Sequence, residues 1–149
     1  MHRILASLTA TLGIRAKRKP AVAAIGDEQR AAIDANTQLV IGELSASAGF
    51  TLALDHQSVV WIDGFIERSR HIDIDTLHDI IASFYGSAII AIYGGQWIIE
   101  SGETAIAIEP DFIMYPFSSV AKHFTAGRDH SVLSLFNGIE PMLASHRAQ

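Results

Sequence analysis

Apolar residues recur at helical spacing along most of the chain. After Pro20, the positions Ile33, Thr37, Val40, Ile41, Leu44 and Ala48 form one stripe. Asp27 is placed to cap its start and Gly49 to stop its end. Gly42 lies inside this stripe and predicts a close packing contact or a bend. A second helix is expected over 58–70, preceded by Asp55 or His56. Its Val59, Ile62, Phe65 and Ile66 would turn inward, Trp61 would sit on the flank, and Asp63, Glu67 and Arg68 would face water. The third helix has the fullest apolar face, with Leu77, Ile80, Ile81, Phe84 and Ala88, and Asp75 as its cap. Gly86 weakens its last turn, so it either stops there or runs on to Ile92.

The period then changes. Gln96–Glu100 and Glu103–Glu109 are rich in Ile, Trp and Ala and read as strands, with Ser101-Gly102 as the turn between them. Gly94-Gly95 offers a second hairpin, from 88–93 into the first of these strands. A further strand is expected over 112–115, after the Pro110-Asp111 turn, and Pro116 ends it. Ser118 would cap a short helix that stops at Ala126-Gly127. Asp129 would cap a closing helix with Val132, Leu135, Phe136 and Ile139 inward, which Pro141 must kink or end. Helices, an antiparallel meander, then helices again predict an α+β fold: several helices packed on a small β-meander, in a single domain over 21–149.

Residues 1–20 stand apart. Ile4, Leu5, Leu8 and Leu12 share one helical stripe, followed by Arg15, Lys17, Arg18 and Lys19. With Arg3 this arm carries five basic residues and no acid, whereas the remainder holds six basic and all 16 acidic ones, for a net charge of −5. A secretory signal would place its basic residues first, so the order here argues against one. The arm is expected to dock as a helix, to lie on a membrane surface through residues 1–19, or to fray.

Composition narrows the function classes. At 149 residues, 49 % apolar and 18 % charged, the chain can bury enough surface to offset its entropy. No apolar run reaches the roughly 18 residues of a membrane span. Cysteine is absent, which removes disulfides, thiolate metal sites and Cys nucleophiles. That absence suits cytosol and periplasm equally; the cytoplasm is taken as the expected setting. An acidic body argues against nucleic acid as a partner and suits a basic protein.

Candidate chemistry is sparse. His71, Asp73, Asp75, His78 and Asp79 fall in one short run whose imidazoles and carboxylates could ligate a divalent metal, with His71, Asp73 and His78 as the ligand set. The simpler reading is a helix start in which Asp75 and Asp79 favour the dipole. Ser119 and Lys122 fit S-x-x-K, but the companion elements of that enzyme class are absent. Lys122, His123, Arg128, Asp129 and His130 flank a bend and could supply a His–Asp base pair, or simply a polar loop. Gly94-Gly95 belongs to no phosphate-binding pattern. No cofactor is expected. Trp61, Trp97, Phe112, Tyr115 and Phe117 read as core before contact surface.

Over 77–136 the pattern resembles small bacterial α+β domains of unknown function, of the kind sometimes found with toxin–immunity systems. The residues that carry it are Gly86, Gly94-Gly95-Gln96-Trp97, the 115–122 segment Tyr-Pro-Phe-Ser-Ser-Val-Ala-Lys, Asp129 and the closing apolar helix. The resemblance implies a non-catalytic domain that binds another protein. The first expectation is therefore a protein-binding module, of immunity type, that neutralises a partner through an acidic surface including Asp63, Glu67, Asp73 and Asp111. The alternative is a small metal-dependent hydrolase built on 71–79.

Overall fold

The computed structural model describes residues 22–72 and 74–149. Among them, strand β1 (Val22–Ala24) leads into helices α1 (Asp27–Ala48), α2 (His56–Arg68) and α3 (Asp75–Tyr93). Strands β2 (Gln96–Glu100), β3 (Glu103–Glu109) and β4 (Phe112–Met114) follow. Helix α4 (Pro116–Ala126), a 3₁₀ turn (Gly127–His130) and helix α5 (Val132–Arg147) close the chain. The sheet is antiparallel throughout, in the order β1-β2-β3-β4, so the α+β architecture is the one expected. The basic arm of residues 1–20 lies outside the described residues, as does Asp73.

Helix α3 is the centre of the domain. Ile81, Ala82, Phe84, Tyr85, Ala88 and Ile89 are all buried, against α1, α2 and α4 and above β3. Its 19 residues are long and apolar enough to cross a membrane, yet half of the apolar window is buried within this domain. An unbroken apolar run explains why 88–93 also read as a strand: without polar positions it shows no period, although Ala91 and Ile92 are exposed. No hairpin forms there, and the helix runs through Gly86 to Tyr93. Gly86 serves packing instead of stopping the helix. A Cβ at this position would overlap the Trp97 indole and stand 3.1 Å from Pro116 Cγ.

Trp97 thus defines the inner face of the sheet, where it pairs with Ile106, which in turn pairs with Met114. All three belong to the hydrophobic core, and Trp97 also meets the Phe117 ring of α4 at 5.9 Å between centroids. Side chains alternate across a strand, so Gln96, Ile98 and Glu100 face the other way, beside Ala107, Ala105 and Glu103. Ser101 (φ 54°) and Gly102 (φ 85°) both adopt positive φ, which gives the two-residue turn the twist of its flanking strands.

Several helix ends differ from their expected form. Asp55 does cap α2, accepting from the Ser58 N–H at 2.8 Å, and Gly49 (φ 81°) closes α1 as a left-handed cap. Asp27 and Asp75 instead occupy the first helical turn, with Gly26 and Ile74 as the caps. Ser118 does not cap α4: Pro116 starts that helix, and the Ser118 hydroxyl donates to Glu103 Oε2 at 2.5 Å. Asp129 lies in the 3₁₀ turn, and α5 is capped by Ser131, which accepts from the Ser134 N–H at 3.1 Å. Pro141 neither ends nor divides α5; Asn137, whose carbonyl the proline leaves without its helical donor, is exposed to water. Gly42 makes no close contact, because its position on α1 faces open space. Strand β1 was not foreseen: its three residues are too few to show a period.

Candidate functional site

The expected acidic contacts on α2 point into the molecule. Asp63, expected to face water, is 5 % exposed and accepts from the Ser131 hydroxyl at 2.6 Å and the Leu133 N–H at 3.0 Å. Glu67 accepts at 2.7 Å from Nε2 of His123, whose side chain has no exposed surface. The Val132 N–H donates to His123 Nδ1 at 3.2 Å. Nδ1 is therefore the acceptor, and Nε2 carries the proton given to Glu67. The Tyr85 hydroxyl completes the network by donating to the Val132 carbonyl at 2.9 Å. Burial, with the Asp63 charge nearby, pushes the Tyr85 phenol well above its usual range.

This arrangement has a His, two carboxylates and a Ser, but not the wiring of a nucleophile. Ser131 Oγ gives its proton to Asp63 and accepts from the Ser134 N–H, while both His123 nitrogens are engaged elsewhere. Its effect is to fasten α2 to the junction of α4 and α5. Nearby, Arg70 reinforces the junction by donating to the carbonyls of Phe124 (3.2 Å) and Thr125 (3.3 Å).

The run over 71–79 is divided by its own fold. His71 is exposed in the turn after α2, while His78 is buried on α3, stacked on Phe124 at 4.3 Å between centroids. Asp73, expected both as a partner contact and as a metal ligand, lies outside the described residues. Among the described residues, no group of three or more His, Asp or Glu is placed to hold a metal ion. Arg128, Asp129 and His130 are exposed around a shallow hollow that Ser119, Lys122 and Ser131 also line.

The sheet brings together residues that the sequence kept apart. Glu100 and Glu103 stand directly opposite each other at the end of the β2–β3 hairpin. Like charges in that position repel, and hydroxyls surround them. Tyr115 donates to Glu100 Oε1 at 2.6 Å, Ser101 donates to Glu100 Oε2 at 3.0 Å, and Ser118 serves Glu103. The hydrogen bond to Glu100, assisted by burial and by the charges of Glu100 and Glu103, pushes the Tyr115 phenol up to about 12. An open cleft of about 640 Å³ lies beside this pair, with Met114, Leu135 and Met142 as apolar wall and Ser119 and Lys122 at the rim. A wider groove of about 1250 Å³ continues over the outer face of the sheet, past Ile98, Ala107 and Ile113.

A second acidic pair sits at the β3–β4 turn. Glu109 accepts from Arg147 Nε at 2.6 Å, and the exposed Asp111 meets His146 Nε2 at 2.8 Å. Of the expected acidic contacts among the described residues, Asp111 joins the cleft; its grouping of Glu100 and Glu103 with Tyr115 and Ser118 was not foreseen. A signal for the glutamates was present: acids on both sides of a two-residue turn must share one face of the hairpin. Trp97 is core as expected, while Trp61 is half-buried, stacked on Phe65 and beneath the Arg68 guanidinium at 5.4 Å. No family model, curated protein or solved structure matches the chain.

Proposed function

We propose that the protein is a non-catalytic binding module that receives a basic, partly apolar segment of another protein at the cleft beside Glu100 and Glu103. The observation that carries this reading is the opposition of those two carboxylates across the hairpin. Among the described residues their hydrogen-bond donors are hydroxyls, and an arriving ammonium or guanidinium would relieve their repulsion. Met114, Leu135 and Met142 beside them supply the adaptable apolar surface on which the rest of such a segment would rest. In a toxin–immunity setting the partner would be the toxin, with its basic surface covered by this face.

The test compares the wild-type protein with Glu103→Lys, both tagged and used to capture partners from their own cells. A basic protein held by the wild type, released by salt and not held by Glu103→Lys would support the reading. Equal recovery by both proteins would sink it, and Asp111→Lys would show whether the second acidic pair carries the contact instead.

A further inference from the structure

The outer face of the sheet is flanked by acids and apolar at its centre. Ile98 and Ala105 are 3 % and 0 % exposed there, although α3 and α4 meet the sheet on its other side. Val22 and Ala24 of β1 extend the same face at the edge, in register with Glu100 and Ile98. The chain that precedes Val22 therefore enters the sheet at its Glu100–Glu103 end.

What precedes Val22 is chemically matched to that face. Lys19 is three residues before Val22, so its Cα lies within about 11 Å of it; Arg15 lies within about 25 Å. Two opposed glutamates thus lie within tether reach of Lys17, Arg18 and Lys19, and a short linker raises the effective concentration of such a contact. Beyond the basic run, Ile4, Leu5, Leu8 and Leu12 lie on one stripe. A helix over residues 3–13 would be about 16 Å long, which fits on a seven-residue strand of about 23 Å.

We infer that residues 1–20 dock on the outer face of this same sheet, with the basic run against Glu100 and Glu103 and the Leu-rich stripe over Ile98, Ala105 and Ile113. The arm is the intrachain occupant of the face. Resting on the partner reading above, one consequence is that a partner's basic segment must displace the arm to bind.

The full chain tests this directly, because it holds no cysteine of its own. A nitroxide attached at Ala10→Cys, on the side of the helix opposite the Leu-rich stripe, should remove amide signal from Ile98, Ala105 and Ile113 and spare Val59 and Phe136. Adding Lys17→Glu, Arg18→Glu and Lys19→Glu should restore the lost signals while the remaining spectrum, and hence the fold, is unchanged. Full intensity at the three outer-face amides would overturn the proposal. So would broadening that ignores the charge reversal, or broadening that passes between molecules in a mixture of spin-labelled and isotope-labelled chains, which would assign the face to a second copy. The readout needs no partner, so a failed capture leaves it standing, and its own failure leaves the capture experiment untouched.

Discussion

Glu67 accepts the Nε2 proton of His123 at 2.7 Å, joining α2 to α4 at a point where the imidazole has no exposed surface. The tautomer is set from the opposite side of the ring by the Val132 N–H. Two helices and the start of a third are thereby held by one side chain.

His123→Ala should therefore destabilise the fold by about 3–4 kcal/mol, through a cavity and a buried N–H left without its acceptor. Glu67→Gln should lose less, since an amide oxygen still accepts from Nε2. Denaturant unfolding of the two variants checks the order: a Glu67→Gln loss as large as that of His123→Ala would overturn it, and no loss at all in Glu67→Gln would show that the imidazole acts by volume alone.

Asp63→Ala strips the acceptor from the Ser131 hydroxyl and the Leu133 N–H together. A loss of about 2–4 kcal/mol is expected. Asp111→Ala, on the surface, should change stability by less than about 0.5 kcal/mol. Midpoints in urea distinguish them; matched losses would contradict the structural role given to Asp63.

Gly86→Ala reverses an ordinary rule. In an open helix the change would gain about 1 kcal/mol. Here the added methyl meets the Trp97 indole, and overpacking should turn the gain into a net loss of about 1–3 kcal/mol. Thermal unfolding gives the sign, and a Trp97→Leu background should remove the penalty.

The phenols predict an alkaline limit. Tyr85, Tyr93 and Tyr115 are all shifted upward, Tyr115 to about 12. A phenol whose folded value lies above its unfolded value near 10 contributes stability that is complete below pH 10. Above pH 10 the unfolded chain ionises first, so stability falls as pH rises toward 12. Phenolate absorbance should appear late in the native protein and near pH 10 in urea. Glu100→Gln should bring Tyr115 downward, because the carboxylate that holds its proton has gone; an unmoved titration would refute that cause.

Reading the chain alone recovered the helices that carry stripes and the hairpin marked by Ser101-Gly102, because those depend on local periodicity and turn chemistry. It misjudged Asp63, because polarity alone suggested water while α5 offers two donors to its carboxylate. It left the end of α3 open at Gly86, since a glycine that makes room for a tryptophan looks the same in sequence as one that ends a helix.

Amphipathic period, capping residues and the +5 and −10 division of charge belong to the sequence by itself, for each is a property of neighbours along the chain. The opposition of Glu100 and Glu103, the hydroxyls that Tyr115 gives to the first and Ser118 to the second, and the pairing of β1 with β2 were decided only by tertiary structure. The reason is physical: strand register and helix docking place distant residues within hydrogen-bond reach by burying apolar faces, and no local preference specifies which polar groups then meet.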